Sequence, residues 1–526
     1  MDHARRQLLM ASVALGLTAA TPAFGTALIE RTLARTRSGR VLGLRDGGLH
    51  VFRGIRYGAD TAAHRFQPPR RETPWRGVRD ALVFGNAAPQ TGNEGPGSED
   101  CLFLNVTTPG LRDGKPRPIL VYIHGGGFNT GSGSDPLYDG SRLSTHGDVV
   151  VVTLNHRLNA FGYLYLGEVD ERFSESGNAG QLDLVAALQW VGEHAAEFGG
   201  DSGNVTVFGQ SGGGAKIATL MAMPPARGLF HRAWTMSGQQ VTAAGPRAAA
   251  QRARLYMDAL GARDVDALLR LPLPTLLDAL RTRDPSLVED TSLYFGPVLA
   301  GNGLPRHPFW PDAPLQSSGI PMVIGNTRDE TRAFLGSEPA NFALTWDALP
   351  AKLRAQQFVD LDPRVVIAEY RRLYPAHTPS EVFFAATTAG RSWRGAVEEL
   401  EARARGGNNT WSYQLDWYPR DVDADGRHRA FHTLDIPLVF DTIAQPGSRT
   451  GTSDDARRVA AAMRDALLAF ARTGDPRTGA TAAWSPYSLL RRETMVFGAT
   501  PVMRDDPRGG ERALYRRVPF VQRGTL

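Results

Sequence analysis

The 526-residue chain contains one cysteine, Cys101. No intramolecular disulfide can form, and zinc or iron–sulfur sites built on several thiolates are excluded. Lysine is almost as scarce. Of 59 basic residues only Lys115, Lys216 and Lys352 are lysines; the others are arginines. Against 54 acidic residues the formal charge is +5. The arginines are dispersed and interleaved with acids, the densest early group being Arg31, Arg35, Arg37 and Arg40. No basic face coincides with a nucleic-acid motif, so no nucleic-acid partner is expected. Beyond the N-terminus no apolar run has the length of a membrane span, so no stable membrane anchor is expected. Hydrophobic residues at 42% and charged residues at 21% exclude a disordered or collagen-like chain. A chain of this length can bury a large core without disulfides or metal staples.

The first 25 residues read as an address. Arg5 and Arg6 precede an apolar stretch from Leu8 to Ala20, and Pro22 and Ala23-Phe24-Gly25 follow. A charged start, a short apolar middle and a small-residue exit are the layout of a signal peptide. Arg5-Arg6-Gln7-Leu8-Leu9 is similar to a twin-arginine export signal, the alternative being a general secretion signal that carries two arginines. The expectation is an exported bacterial protein, periplasmic or secreted, with a single domain over 26–526.

In the remaining chain, strand-like and helix-like segments alternate without repeats or low-complexity linkers. That pattern predicts an α/β layer fold around a largely parallel sheet. Pro118 to Ile123 is a short apolar run ending at glycines, and Val149 to Leu154 is uniformly apolar, as a strand buried on both faces requires. Leu182 to Phe198 carries apolar residues at helical spacing. Val205 to Phe208, Ala233 to Ser237, Met322 to Gly325 and Trp411 to Asp416 read as further strands. Two stretches, about 243–280 and 345–404, read as helices without intervening strands and are expected to be insertions, the first forming a cap over the sheet.

Two motifs carry chemistry. Gly209-Gln210-Ser211-Gly212-Gly213 fits G-x-S-x-G between a strand and a helix. A serine on such a turn has its hydroxyl exposed at the sheet edge, at a helix N-terminus that favours negative charge. A chance glycine-rich turn is the competing reading. His124-Gly125-Gly126-Gly127-Phe128 follows the strand 118–123. Consecutive glycines let backbone N–H groups converge on one point, as an oxyanion hole requires. A phosphate cradle is the weaker alternative, because the lysine and hydroxyl of a P-loop are missing. His124 itself reads as a structural residue of the turn.

A nucleophilic serine needs a base and an orienting acid. In the α/β-hydrolase fold these follow in the order serine, acid, histidine. The candidate bases are then His231, His307, His377, His428 and His432, and the candidate acids after the 322–325 strand are Asp329 and Glu330. Spacing does not choose among them.

The motifs taken together resemble the carboxylesterase/cholinesterase (type-B carboxylesterase) family of α/β-hydrolases, in its bacterial para-nitrobenzyl-esterase-like branch. Matching stretches include Pro74-Trp-Arg-Gly-Val-Arg-Asp80, Glu99-Asp-Cys-Leu-Phe-Leu-Asn105, Asn155-His-Arg-Leu158, Asn178-Ala-Gly-Gln-Leu-Asp183 and Phe470-Ala-Arg-Thr-Gly-Asp-Pro476. The resemblance runs from Phe52 to Phe497. It implies a large, mostly parallel sheet flanked by helices, with helical cap insertions. It implies Ser211 as nucleophile, Glu330 as acid and His432 as base, with the amides of Gly126, Gly127 and Gly212 as the oxyanion hole. It implies hydrolysis of small-molecule carboxylic esters through an acyl-enzyme, with no metal or cofactor. Structural ion pairs are implied between Arg65 and Glu99 and between Arg157 and Asp183.

The departures are specific. Gln210 stands where many members have Glu, and Gly212-Gly213 where many have Ala-Gly. Cys101 corresponds to half of a family disulfide, whose partner position is Ala88. An exported enzyme without disulfides agrees with folding before export. The segment between Ala88 and Cys101 contains no tryptophan, so a cholinesterase-like site for quaternary ammonium is not expected. The same triad could serve amide, carbamate or lactone hydrolysis. A non-catalytic binding member of the family would lack one of the three triad residues, and here all three positions are filled.

Overall fold

The computed structural model describes residues 30–92, 94, 95, 97–285, 292–522 and 524. The signal-peptide assignment to 1–25 lies outside the described residues. Thirteen strands form one sheet: β1 (Arg31–Arg35), β2 (Arg40–Asp46), β3 (Leu49–Arg56), β4 (Val78–Asp80), β5 (Phe103–Thr108), β6 (Arg117–Ile123), β7 (Val150–Leu154), β8 (Gly200–Gln210), β9 (Arg232–Met236), β10 (Met322–Thr327), β11 (Thr410–Leu415), β12 (Glu493–Phe497) and β13 (Pro501–Asp505). Their order is β1-β2-β3-β5-β7-β6-β8-β9-β10-β11-β12-β13, with β4 beside β2. From β7 through β12 every neighbouring pair is parallel. The β1–β2, β2–β3, β3–β5, β5–β7 and terminal β12–β13 pairs are antiparallel, and β4 joins β2 in parallel.

The parallel centre follows from composition. Side chains alternate across a sheet, and both faces of β6 are apolar. Ile119, Val121 and Ile123 enter the core on one face, with Leu184, Leu188 and Val191 of the helix Ala179–His194. Leu120 and Tyr122 enter the core on the other, with Met463, Leu467 and Phe470 of the helix Asp454–Thr473. The runs expected to be strands at 118–123, 149–154, 322–325 and 411–416 are strands to within a residue or two. The strand expected at 205–208 extends back to Gly200.

Both helical insertions are present. Pro246–Ala259, Val265–Leu269 and Leu273–Asp278 make the first, and their apolar sides share a core with Phe128 and Phe161. Leu349–Gln356, Pro363–Leu373, Pro379–Thr388 and Arg394–Arg405 make up most of the second. No helix of the described residues is long and apolar enough to cross a membrane.

Both implied ion pairs form. Arg65 meets Glu99 at 2.6 Å, and its other nitrogen donates to the carbonyls of Leu269 and Leu271, which ties the first insertion to the main body. Arg157 and Asp183 are wholly buried, with the guanidinium donating at 2.6 and 2.8 Å and the Arg157 amide at 2.9 Å. Cys101 is buried and unpaired, as the alanine at position 88 requires.

A buried guanidinium stripped of its carboxylate is far costlier than an intact pair. Asp183→Ala is expected to lower unfolding stability by about 3–5 kcal/mol, read as a reduced denaturation midpoint in urea.

Candidate active site at the carboxyl edge of the sheet

Parallel pairing brings the carboxyl ends of neighbouring strands to one edge, where ligands bind in open α/β sheets. Register makes this concrete. Ile123 of β6 lies opposite Gly209 of β8, Gln210 opposite Met236 of β9, and Met236 opposite Gly325 of β10. The chain therefore leaves the sheet at His124, Ser211, Ser237 and Arg328 along one rim.

Ser211 sits between β8 and the helix Gly212–Leu220 with φ +55° and ψ −126°, a conformation costly for a residue with a side chain. Its amide donates to the Met236 carbonyl at 2.7 Å. The turn is closed too tightly for side chains nearby: a Cβ at Gly213 would lie 1.9 Å from the Ile123 oxygen, and one at Gly212 would lie 1.9 Å from the Gly127 oxygen. The Gly212-Gly213 pair, noted as a departure from Ala-Gly, thus lets the glycine loop pack directly on the serine turn.

In that loop Gly126 and Gly127 both have positive φ, +82° and +62°. Among the described residues the amides of Gly126, Gly127 and Gly212 donate to no other protein group, and the first amides of a helix have no partner within it. His124 is fully buried, and its Nδ1 bonds the Gly125 carbonyl at 2.9 Å. Burial, then the nearby Lys216, push its pKa down to about 3, so it is a neutral structural ring as expected.

Two loops bring Glu330 and His432 together. Glu330 follows β10 and is fully buried; His432 follows β11, the strand beside β10. His432 Nδ1 hydrogen-bonds Glu330 Oε2, and the Glu330 Oε1 accepts from the Thr327 amide at 3.0 Å and from Asn326 at 3.3 Å. Burial works against the charge on Glu330, but His432 and the bonds from Ser237 and Thr327 outweigh it and hold the carboxyl below its ordinary range. Asp329, the alternative acid, turns to Arg332 at 3.4 Å instead. The other histidines are engaged elsewhere: His428 with Asp423, His231 with the Val205 amide, His307 with the Ala243 amide, and His377 against the Tyr374 ring.

The structure does not join His432 to Ser211 by a hydrogen bond. With Nδ1 bound to a carboxylate, Nε2 is the acceptor, and the Gln210 amide nitrogen lies 3.2 Å from it. Phe334, half exposed, covers the His432 ring with centroids 4.8 Å apart. Sequence reasoning named Gln210 only as a departure and did not find Phe334, Ser237 or Asp435. Asp435 is buried three residues after His432 and accepts from the Tyr413 hydroxyl at 2.8 Å; burial, then the charge of Glu330, raise its pKa to about 6. Its place one turn beyond the histidine was the available signal. Trp411 and Trp417 are buried in the core, and Tyr418 packs against the same cluster.

A parallel-centred sheet with a strained serine turn and a buried carboxylate–histidine pair at its carboxyl edge defines an α/β-hydrolase. The model of the carboxylesterase family matches residues 30–513, and the chain belongs to that family and is a carboxylic ester hydrolase. It is 35% identical to the para-nitrobenzyl esterase of Bacillus subtilis (strain 168) over 502 residues, covering 91% of this chain and 97% of that protein. It is 32% identical to the phenmedipham hydrolase of Pseudarthrobacter oxydans, covering 90% and 96% of the two chains. Among solved structures, the Geobacillus stearothermophilus carboxylesterase EST55 superposes with a TM-score of 0.80 at 36% identity, over 92% of this chain and 100% of that one.

Gly213→Ala tests the tightness of the turn. The added methyl must displace the β6 carbonyl, so ester hydrolysis is expected to fall to background with a lowered melting temperature, both measured on the purified variant.

Proposed function

We propose that ester hydrolysis by this chain runs through a Ser-His-Glu triad and an acyl-enzyme, with Ser211 as nucleophile, His432 as general base and Glu330 as its orienting acid. The observation that carries this reading is the direct Glu330–His432 hydrogen bond, buried beside the strained Ser211 turn. Glu330 fixes the proton on Nδ1 and leaves the Nε2 lone pair facing the rim. His432 then exchanges its contact with the Gln210 amide for the Ser211 hydroxyl, takes the proton as Oγ attacks the ester carbonyl, and becomes an imidazolium that Glu330 stabilises. The amides of Gly126, Gly127 and Gly212 receive the oxyanion; in such sites one donor contributes about 3 kcal/mol to the transition state. His432 returns its proton to the departing alcohol. Water, deprotonated by His432, releases the acid and restores Ser211. The substrate class is small-molecule carboxylic esters, as for the relative named para-nitrobenzyl esterase.

We further propose that residues 1–25 are an export signal and that 26–526 act as one catalytic domain, a reading supported by the charged-apolar-small layout at the N-terminus and by a single sheet spanning Arg31 to Asp505.

Two variants test the triad. Ser211→Ala is expected to abolish hydrolysis of para-nitrophenyl acetate without changing the melting temperature. Glu330→Gln is expected to lower kcat by about 10⁴-fold through loss of the correct tautomer. Near-wild-type turnover by the purified Ser211 variant would sink the assignment.

A further inference from the structure

One of the chain's three lysines has no exposed surface. Lys216 lies within the helix Gly212–Leu220, whose N-terminus adjoins Ser211. Its Nζ donates to the His124 carbonyl at 3.2 Å and lies 5.6 Å from the centre of the Phe128 ring. His124 and Phe128 are the two ends of the loop that carries Gly126 and Gly127. A single amino group therefore fastens both ends of that loop from beneath, by a hydrogen bond on one side and a cation–π contact on the other.

The groups around it supply no negative charge. From the turn after β6 comes His124, and from the turn after β7 comes His156; their rings stack with centroids 4.7 Å apart. Each binds a neighbouring carbonyl through Nδ1, and burial followed by the charge of Lys216 keeps both neutral. From the helix Ala179–His194, Gln181 donates to the Lys216 carbonyl at 3.2 Å. Among the described residues no carboxylate pairs with Lys216. Burying an amine without a counter-ion costs stability. The same setting leaves its charge poorly screened, so that the field reaches the adjacent loop.

We propose that Lys216 is a positioning residue for ester hydrolysis: it clamps the His124–Phe128 loop so that the Gly126 and Gly127 amides aim at the acyl oxyanion, and its positive charge adds to the field there. The proposal rests on Ser211 being the nucleophile. Burial brings the pKa of Lys216 from 10.5 to about 7. As pH rises through that value the ammonium becomes a neutral amine, the cation–π contact and the field are lost, and kcat falls. Stability moves the opposite way. The folded state gives up its proton near pH 7 while the unfolded chain keeps its own until about 10.5, so stability rises with pH across that window.

The test uses the full chain and para-nitrophenyl acetate, with kcat, KM and melting temperature followed from about pH 5.5 to 9.5, a range that extends well to either side of the lysine's transition. Lys216→Met keeps the length of the side chain and removes the charge. Below pH 7 it is expected to lower kcat about tenfold or more, with KM within about twofold. It should also lack the alkaline decline of the wild type and melt no lower than the wild type. The wild type should gain on it in melting temperature as pH rises above 7. A variant with wild-type kcat overturns the proposal. So does a reduced kcat whose pH profile keeps the wild-type shape, which is what a merely structural lysine would give. If the variant does not fold, Lys216→Gln and the wild-type profile decide, since a wild-type kcat that stays flat to pH 9.5 overturns it by itself. Ser211→Ala assayed alongside separates the two readings: turnover surviving there removes the nucleophile assignment whatever Lys216 does.

Discussion

Three chain segments meet at the end of β8 with no room between them. The Ile123 carbonyl presses on Gly213, the Gly127 carbonyl on Gly212, and the Ser211 carbonyl on Gly238, each so close that a Cβ would fall 1.9 Å from oxygen. This absence of side chains lets the ends of β6, β8 and β9 converge while β6, β8 and β9 remain in parallel register. The strained backbone of Ser211 is held by the crowding on either side, since the amide is pinned to Met236 and the helix begins at once. Everything else at the rim is arranged around that knot: the glycine loop lies against it, Gln210 reaches His432 from it, and the helix leaving it carries Lys216 back beneath the loop.

The parts of this arrangement that were legible in the sequence are those with a local physical signature. Strands buried on both faces need uninterrupted apolar runs, so β6, β7 and β10 announced themselves. The antiparallel edge formed by β1 to β3 and β13 has polar outward faces and mixed patterns, and alternation of strands with helices did not point to it. The serine turn and the glycine loop were legible because tight backbone approach demands glycine. The pairing of the proposed acid and base was not, because it depends on β10 and β11 being neighbours in the sheet, which no short motif encodes. Family resemblance named Glu330 and His432, and the geometry separates Glu330 from Asp329 by a one-residue difference: the loop aims Glu330 inward and leaves Asp329 beside Arg332. The Gln210–His432 contact was out of reach for the same reason, since it joins residues 222 positions apart.

Arginines that are buried or largely covered recur as struts. Arg157 satisfies Asp183 together with the Gln67 carbonyl, Arg65 satisfies Glu99 together with two carbonyls of the first insertion, and Arg508 pairs with Glu511 under Tyr370. A guanidinium offers five donors in a plane and can bridge a carboxylate and several backbone oxygens at once, which an ammonium cannot. Against that background Lys216 stands apart: it makes one backbone hydrogen bond, and its interior charge meets aromatic and imidazole rings in place of a carboxylate.

The preference for arginine also shapes the exterior. Lys115 is exposed, Lys352 is partly covered and paired with Glu338 at 2.9 Å, and Lys216 is sealed in the core. Activated esters acylate free amines without any enzyme, whereas guanidinium groups, permanently protonated, are poor nucleophiles. Over the described residues this hydrolase therefore offers an activated ester a surface almost devoid of lysine amines to acylate in place of water.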